Sequence, residues 1–352
     1  MSGVPFSGWP SPALWKLLTL CSSSPEDGAS GRIPAEGGAL VVELNAWSGS
    51  ASERGQGDDI VILVTAANGN QGRHLVPRLL QAGQVLRACV RSEESAQALR
   101  SAGVTDVVVG DIADPDVMAR AMRGVDKVYY VGPTLHPEER EMGFVAIDAA
   151  REAGVKHFVF SSVLHAILTD LTQHEVKRDL EEHLLSSGIE FTILQPANYM
   201  LRHRLKPAVE QGLFRLSWAL DRYQSMVDLS DVAEVAAAVL ADSGRHAGAT
   251  YELVAPGRYT ALDIATVISD VLGREVAAER IDADQFTAAS LGADHEICFP
   301  YHTGAARAIS KRYSSHDFIG NPNVLTWLLG REPTSFKDFV QREVELLHPL
   351  GR

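Results

Sequence analysis

The sequence predicts an α/β fold built on a doubly wound parallel sheet, with a smaller, discontinuous C-terminal substrate lobe. Three observations lead to this prediction. Residues 60–65, IVILVT, form a continuous apolar run, which is typical of a strand buried on both faces. A turn containing Gly69 and Gly72 follows, and an amphipathic helix begins directly after it. Strand and helix patterns then alternate to about residue 194, which is the order of a Rossmann-type sheet.

Each predicted element has a local basis. The first helix carries Leu75 and Leu79 on one side, and later helices are expected to end at Gly103, Gly154 and Gly188. The predicted strands are 60–65, 85–90, 107–109, 127–131, 157–161 and 191–194, and the predicted helices are 72–82, 95–101, 115–122, 144–153 and 175–185. Ligands of such sheets bind beyond the carboxyl ends of the strands, so the residues at those ends are the candidates for function.

The composition divides the chain unevenly. Residues 1–57 are rich in Gly, Ser, Pro and Ala and are predicted to form a flexible, low-complexity tail. Residues 58–200 are predicted to form the Rossmann domain, which residues 227–256 complete with a helix and a strand. The substrate lobe is expected to comprise residues 201–226 and 257–345.

Charge and cysteine content exclude several classes of function. The 352 residues carry a formal net charge of -13, so direct contact with nucleic acid is not expected. The three cysteines form no CxxC pair, which argues against a metal site or a disulfide framework and favours a reducing, cytoplasmic location. No apolar run reaches the about 18 residues of a membrane span, so no membrane association is expected.

The turn after the first strand is the strongest candidate for a binding site. Its glycines would let the backbone approach a pyrophosphate, and the helix N-terminus supplies N–H donors and partial positive charge. A side chain at Gly69 or Gly72 is expected to fill the space that the pyrophosphate needs. The predicted cofactor-binding residues of this turn are Thr65, Ala67, Asn68, Gly69, Asn70, Gln71 and Gly72. The alternative is a plain strand–helix turn.

Arg91 ends the second predicted strand, where the residue that contacts the adenosine ribose is usually found. An arginine there favours the 2′-phosphate of NADP(H), so NADP(H) is predicted over NAD(H). The alternative is a solvated charge at the end of a strand, and the neighbouring Glu93 and Glu94 keep that alternative open.

Asp111 and Ile112 end the third predicted strand and are predicted to contact the adenine, with the carboxylate accepting from its amino group. The alternative for Asp111 is the N-cap of the helix that starts near Pro115. Asp114 fits that cap better because it directly precedes the proline.

Several motifs together resemble the NmrA-like group of atypical short-chain dehydrogenases. That group opens with TGATGxxG, and Thr65, Ala67, Gly69 and Gly72 stand in register, with Ala66 and Asn68 as departures. The other similar segments are GDIAD at 110–114, FSSVLH at 160–165, HEVKRDLEEHLLSSGIEFTILQPANYM at 174–200, DLSDVAEVAAAVL at 228–240, YELVAP at 251–256 and GNPNVLTWLLGREPTSFKDF at 320–339. The resemblance spans roughly residues 58–345 and implies NAD(P) binding, but it names no substrate.

The resemblance also implies where catalysis would take place. Typical short-chain dehydrogenases use a serine followed by a Tyr-xxx-Lys pair on the next helix. Here Ser161 and Ser162 end the fifth strand and Lys177 is present, but Gln173 occupies the tyrosine position and cannot act as an acid or base. Ser161 and Lys177 are predicted to contact the cofactor, and Lys177 is also predicted to be catalytic.

Helical spacing supports a role for Lys177, because it shares one stripe with Gln173, Leu180 and Leu184. The alternative is a lysine that only snorkels at the helix edge. Because methionine keeps most of the length and the apolar stem of lysine, exchange of Lys177 for methionine is expected to leave stability nearly unchanged.

Two histidines are candidates to replace the missing tyrosine as proton donor. His165 follows the fifth strand closely and is predicted to be catalytic, with His174 as a second candidate. The alternative for each is a histidine that is merely exposed.

Pro196 and Asn198 resemble a family segment that contacts the nicotinamide, which implies cofactor binding; the alternative is a strand-ending turn. In the substrate lobe, Phe214 and Trp218 would either stack on a substrate ring or pack in the core.

The sequence therefore predicts an NAD(P)H-dependent oxidoreductase that reduces a small conjugated or quinone-like organic molecule. The alternative is a non-catalytic, NAD(P)-sensing regulatory protein that binds a protein partner. The missing tyrosine favours the regulator, whereas a C-terminal lobe that would close over a pocket favours the enzyme. A protein partner and a homodimer are both left open.

Overall fold

The computed structural model describes residues 60–347, except residue 293. Residues 1–57, predicted to be a flexible tail, lie outside the described residues. The strands are β1 (Val61–Thr65), β2 (Val85–Val90), β3 (Asp106–Val109), β4 (Lys127–Tyr130), β5 (His157–Ser161), β6 (Glu190–Pro196), β7 (Asn198–Met200), β8 (Leu213–Leu216), β9 (Met226–Asp228), β10 (Ala249–Leu253) and β11 (Ala277–Arg280). None of the helices in this part of the chain is long and apolar enough to cross a membrane.

Most helices follow the strands in alternation. They are α1 (Gly72–Gln81), α2 (Glu93–Ser101), α3 (Pro115–Met122), α4 (Glu139–Glu152), α5 (Thr172–Ser186), α6 (Arg202–Gln211), α7 (Leu229–Ala241), α8 (Ser243–His246), α9 (Ala261–Leu272), α10 (Ala283–Leu291), α11 (His295–Cys298), α12 (Pro300–Ser315), α13 (Asn323–Leu329) and α14 (Phe336–Leu347). The first strands and helices agree closely with the predicted ones.

The central sheet confirms the predicted fold class. Its strand order is β10-β6-β5-β4-β1-β2-β3, and each neighbouring pair is parallel. The order reverses between β1 and β4, because the chain first adds β2 and β3 on one side and then β4, β5 and β6 on the other. This reversal leaves a crevice beyond the carboxyl ends of the strands.

Burial on both faces explains the apolar run that forms β1. Ile62 packs with Leu75 of α1 on one face of the sheet, whereas Leu63 packs with Met118 and Ile147 on the other. All five side chains are essentially inaccessible to water. Full burial of one such side chain contributes about 1.5–3 kcal/mol, so both faces hold the strand in the centre of the sheet.

Two helices begin three or more residues earlier than the sequence predicts. Helix α4 starts at Glu139 rather than at residue 144, and α5 starts at Thr172 rather than at residue 175. Their first turns are polar, so hydrophobic periodicity does not reveal them. The earlier starts matter because they place Glu139 and Gln173 on helices at the crevice.

The C-terminal part packs partly on the sheet and partly on its own core. Pairs β7–β9 and β8–β11 form two small parallel sheets, and a third apolar cluster gathers around Leu205, Ile268 and Val340. Leu325 of α13, by contrast, packs with the main core. Strand β10 joins the central sheet beside β6. The division into a Rossmann domain and a substrate lobe stays a prediction.

Asp231 lies at the start of α7, within the DLSD segment, and its buried carboxylate binds residues 331–334 of the C-terminal part. Its carboxylate accepts from the Thr334 backbone N–H at 2.7 Å and from the Arg331 guanidinium at 2.8 Å. Asp228 caps α7 through the Ser230 N–H. These contacts hold residues 331–334 against the start of α7.

Candidate functional site

The glycine turn has the geometry of a dinucleotide cradle. Ala66 adopts φ +48°, the left-handed conformation that glycine takes easily. The Gly69 N–H donates to the Ala66 carbonyl at 2.8 Å and closes the turn. Helix α1 begins at Gly72 with no side-chain cap and no acidic residue in its first turn. Its N-terminus is therefore fit to bind an anionic group such as a pyrophosphate.

Gly72 is required for a reason other than the expected one. A Cβ built there would lie 2.3 Å from the Ala67 carbonyl oxygen and 2.5 Å from the Ala66 carbonyl oxygen. A Cβ at Gly69 would meet the Ala66 oxygen at 3.0 Å. A side chain at Gly72 would thus collide with the backbone of the turn, and the expectation that it fills only the ligand space is wrong.

The left-handed Ala66 leads to a stability prediction. Ala66→Gly should stabilise the protein by about 0.5–1 kcal/mol, because relief of the about 1–2 kcal/mol left-handed cost outweighs the greater chain entropy of glycine. Urea denaturation of the two proteins measures the difference. Ala67→Gly is the control, since Ala67 is buried and has no positive φ; it should destabilise. An Ala66→Gly variant less stable than the parent would contradict the strain argument.

Two polar side chains of the turn point into the protein. The Thr65 hydroxyl donates to the Val131 carbonyl at 3.2 Å and accepts from the Val131 N–H at 2.8 Å, which joins the ends of β1 and β4. The Gln71 amide donates to Ser161 Oγ at 2.8 Å and to Tyr199 Oη at 2.6 Å. Tyr129 Oη donates to Gln71 Oε1, the oxygen of the same amide. These side chains shape the turn from behind, which leaves its backbone for a ligand.

Arg91 is exposed at the carboxyl end of β2, beside a small polar cluster. Asn68 Nδ2 donates to Ser95 Oγ at 2.8 Å, and Ser92 caps α2 by accepting from the Ser95 N–H. The glycine turn and the Arg91 segment are thereby hydrogen-bonded to each other. Hydroxyl and amide groups next to an arginine suit a phosphate ester.

The carboxyl end of β3 carries two aspartates with distinct local roles. Asp114 caps α3 by accepting from the Asp116 N–H at 2.9 Å, as predicted. Exposed Asp111 accepts from the Ala113 N–H at 3.0 Å and fixes the turn before the helix, next to half-buried Ile112. The role of Asp111 and Ile112 toward adenine stays a prediction.

A cavity of about 180 Å³ lies beyond the carboxyl ends of β5 and β6. It is lined by Thr134, Ser162, Val163, Gln173, Lys177, Pro196, Ala197, Asn198, Tyr199, Leu201 and Arg204. Because Tyr199 also accepts from Gln71, the cavity directly adjoins the glycine turn. Three predicted site residues, Lys177, Pro196 and Asn198, thus lie in one cavity together with Gln173, which occupies the tyrosine position.

Lys177 forms a buried ion pair that the sequence did not reveal. Its ammonium lies 2.8 Å from Glu139 Oε1, and the two side chains are 5% and 0% exposed. The ammonium also lies 5.2 Å from the Phe160 ring centre. A Cβ at Gly143 would collide with the Leu180 side chain, so this glycine lets α4 and α5 approach closely enough for the pair to form. Lys177 is a paired interior lysine at the cavity wall, not one that snorkels.

Gln173 occupies the cavity wall one turn before Lys177. Its Oε1 is buried without a hydrogen-bond partner among the described residues. Since amide oxygen and nitrogen are interchangeable by a flip, this group can accept from or donate to a ligand in the cavity. It can orient a substrate but cannot give up a proton at neutral pH.

Neither histidine candidate reaches the cavity. His165 Nε2 donates to the Ile319 carbonyl at 2.9 Å, and its Nδ1 lies 3.6 Å from Glu252 Oε1. Buried His174 donates to the His165 carbonyl at 3.0 Å, and burial lowers the pKa of His174 to about 4. His165 is not among the residues that line the cavity, and its Nε2 is already hydrogen-bonded to a backbone carbonyl, so its role as proton donor stays a prediction.

Pro196 and Asn198 line the cavity, and Ser161 ends the neighbouring strand β5. Ser161 is buried and accepts from Gln71, while the Pro196 carbonyl accepts from the Leu164 N–H at 2.9 Å. Asn198 Nδ2 donates to Gln224 Oε1 at 2.9 Å. Their predicted contact with a cofactor is not decided by these bonds.

Positive charge at the crevice comes from residues that the sequence analysis missed. Arg204 lines the cavity, and Arg73 stands in the first turn of α1. Both positive charges lie near His203. Burial is the main cause that lowers the pKa of His203, and the charges of Arg204 and Arg73 lower it further. Arg73 directly follows Gly72, the last glycine of the turn, and this position in the sequence could have identified it as a candidate for binding an anionic ligand.

The aromatic candidates of the C-terminal part pack in the core. Trp218 stands edge-on to Tyr313 with ring centres 5.3 Å apart, and Phe214 packs against the third apolar cluster.

Between residues 60 and 347, with residue 293 left aside, no group of three or more His, Cys, Asp or Glu side chains could hold a metal ion.

Sheet order, glycine turn and cavity define a Rossmann-type α/β protein with a crevice suited to an anionic cofactor and a small ligand. The chain belongs to the NmrA-like family, whose model matches residues 58–335. It is 29% identical to quinone oxidoreductase 2 of Escherichia coli (strain K12), over 65% of this chain and 80% of that protein. It is 32% identical to the NAD(P)H azoreductase of Xenophilus azovorans, over 66% of this chain and 81% of that protein.

A solved structure with a similar fold is the Citrobacter sp. triphenylmethane reductase complexed with NADP(H). The TM-score is 0.69 at 26% sequence identity, and the match covers 81% of this chain and 100% of that one. The similarity therefore extends through the whole of that protein, including its C-terminal part.

Proposed function

We propose that this protein is an NAD(P)H-dependent oxidoreductase that reduces a small conjugated or quinone-like organic molecule. The observation that carries the proposal is the cavity beside the glycine turn, in which Gln173 and Lys177 meet Asn198. The three relatives named above are reductases of quinones, azo compounds or triphenylmethane dyes by their names, which supports the same class of substrate.

The residues present fit a dinucleotide. The uncapped start of α1 would hold the pyrophosphate, since Gly72 lets the helix begin against the turn and Arg73 adds positive charge. When bound, the reduced nicotinamide supplies the hydride. The chain then has to position the substrate and exclude water. Gln173 and Asn198 would orient polar groups of the substrate, and Lys177 would place a fixed positive charge at the wall.

The cavity has room for about one conjugated ring. Its volume of about 180 Å³ is similar to that of an engineered protein cavity that binds benzene, about 150 Å³. Lys177, Pro196 and Asn198, which are predicted to contact the cofactor, line the same cavity. The nicotinamide and the substrate would therefore share it, and the substrate would extend through its open side.

We further propose that NADP(H) is preferred over NAD(H) through Arg91. Arg91→Ala should weaken NADPH binding about ten-fold or more, because a charge-assisted phosphate contact contributes about 1.5–3 kcal/mol. NADH binding should stay nearly unchanged. Titration calorimetry with both dinucleotides measures the two affinities, and Arg100→Ala on the same helix–strand unit is the control. Equal weakening of both dinucleotides would contradict this assignment.

A steady-state screen tests the proposed activity. NADPH oxidation should become acceptor-dependent with quinones, azo dyes or enones, and Gly72→Val should abolish it. The regulator alternative rests on Gln173 in the tyrosine position. It predicts dinucleotide binding without acceptor-dependent oxidation by any compound of the panel.

A further inference from the structure

The proposed reduction requires a proton, and neither Gln173 nor the two histidine candidates supplies it. Hydride addition to a conjugated carbonyl or a quinone leaves a negative charge on oxygen, which must be neutralised. Gln173 has no acidic proton, and His165 and His174 bond to backbone groups away from the cavity.

Ser162 and Glu181 form a polar path that begins at the cavity. Ser162 lines the cavity and is 5% exposed. Its hydroxyl donates to Glu181 Oε1 at 2.5 Å, and Gln195 Nε2 donates to the same oxygen at 2.8 Å. Glu181 is half-buried and follows Lys177 by one turn of α5. The carboxyl group thus stands between the cavity and the protein surface.

We propose that Ser162 and Glu181 form the proton relay of this reductase, in the role that a tyrosine would otherwise fill. The inference rests on the proposed function. When the carboxyl is protonated, the hydrogen bond between the two side chains reverses: Glu181 donates to Ser162 Oγ, and the Ser162 hydroxyl turns to donate to the substrate oxygen. As the reduced substrate oxygen takes the proton of the Ser162 hydroxyl, Ser162 takes the proton of the Glu181 carboxyl. One O–H bond breaks and one forms at each transfer, and Glu181 is left as a carboxylate. The hydride supplies both electrons of the reduction, and solvent returns the proton to Glu181.

The surroundings of Glu181 favour a proton reservoir. Burial raises the pKa of its carboxyl, while hydrogen bonds from Ser162 and Gln195 and the charge of Lys177 oppose that rise. Three ion pairs surround this part of α5, namely Glu139 with Lys177, Arg140 with Asp179, and Arg312 with Asp170. After the proton leaves, Gln195 and Lys177 stabilise the carboxylate.

The relay predicts a pH dependence with a definite sign. The carboxyl must be protonated to act, so kcat should fall as pH rises through the pKa of Glu181. Glu181→Gln should lower kcat about a hundred-fold, within the range of general acid catalysis, and should remove this pH dependence. Ser162→Ala should have a similar effect, and Ser162→Thr should restore much of the rate. KM for NADPH should change little in all three.

The experiment compares these variants with Asp179→Asn, which alters a carboxylate on the same helix that pairs with Arg140 instead. Kinetics with NADPH and a small quinone are measured from acid to alkaline pH. Infrared difference spectra of the same proteins follow the carboxyl band, and the wild type should show a protonated carboxyl that is absent in Glu181→Gln. Circular dichroism shows whether each variant is folded. If Glu181→Gln does not fold, Ser162→Ala alone tests the relay.

The outcomes separate the relay from the proposed function. Wild-type turnover with an unchanged kcat and pH profile in Glu181→Gln and Ser162→Ala would overturn the relay and leave the reductase assignment intact. A wild type that oxidises NADPH with none of the acceptors would overturn both. A loss in both variants that Asp179→Asn does not share would support the relay.

Discussion

Replacing Lys177 by methionine should destabilise the protein by about 3–5 kcal/mol, because the change leaves buried Glu139 without its partner. The Glu139 side chain is 0% exposed and lies 2.8 Å from the lysine ammonium. The sequence suggested almost no change in stability, since methionine keeps most of the length and the apolar stem of lysine. The ion pair overturns that expectation. Urea denaturation, with the midpoint and slope compared between proteins, measures the effect.

Two controls isolate the buried pair. The double variant Lys177→Met with Glu139→Met should recover most of the lost stability, because apolar replacement of a whole buried pair is often neutral. Lys156→Met should cost less than about 1 kcal/mol, since Lys156 pairs with Asp126 at the surface with 74% of its side chain exposed. A Lys177→Met variant as stable as the parent would show that Glu139 tolerates the loss of its partner.

Gly72→Val should both abolish dinucleotide binding and destabilise the fold by more than about 3 kcal/mol, as backbone collisions and overpacking do. The collision is with the Ala66 and Ala67 backbone, which cannot move aside as a side chain can. Gly69→Ala should be milder, because its Cβ would lie 3.0 Å from the nearest atom. Calorimetric titration with NADPH and thermal unfolding measure the two effects separately.

The control for Gly72→Val is Gly244→Ala. A Cβ at Gly244 has no neighbour within 4 Å, and its φ is not positive, so stability and binding should both be retained. A Gly72→Val protein that unfolds at the parental temperature would mean that the turn has rearranged. If the Gly72→Val protein bound NADPH with the affinity of the parent, the glycine turn would not be part of the dinucleotide-binding site.

The sequence predicts the sheet well because burial on two faces leaves a simple pattern. The run at 60–65 is apolar throughout, since alternate side chains of β1 pack against opposite layers of helices. The first turn of α4 leaves no such pattern. Glu139 sits in a polar segment, so its helix was predicted to begin later.

Partners on distant elements explain what local sequence patterns could not predict within the site. His165 was expected to face the cavity, but Ile319 and Glu252 engage its ring from other parts of the chain. The side chain of Gln71 bonds to Ser161 and Tyr199 on two other strands. Local spacing could place Lys177 on the correct face of its helix, but no local pattern identifies Glu139 as its partner.

The most direct test of the proposed function is a single-turnover experiment on NADPH bound to the protein. A small quinone is mixed with an excess of the complex, and the absorbance of the reduced nicotinamide is followed in a stopped-flow instrument. The proposal predicts a loss of bound NADPH equal to the quinone added, at a rate far above that of free NADPH. Bound NADPH that stays reduced in the presence of quinones, azo dyes and enones would contradict it and would favour a dinucleotide sensor.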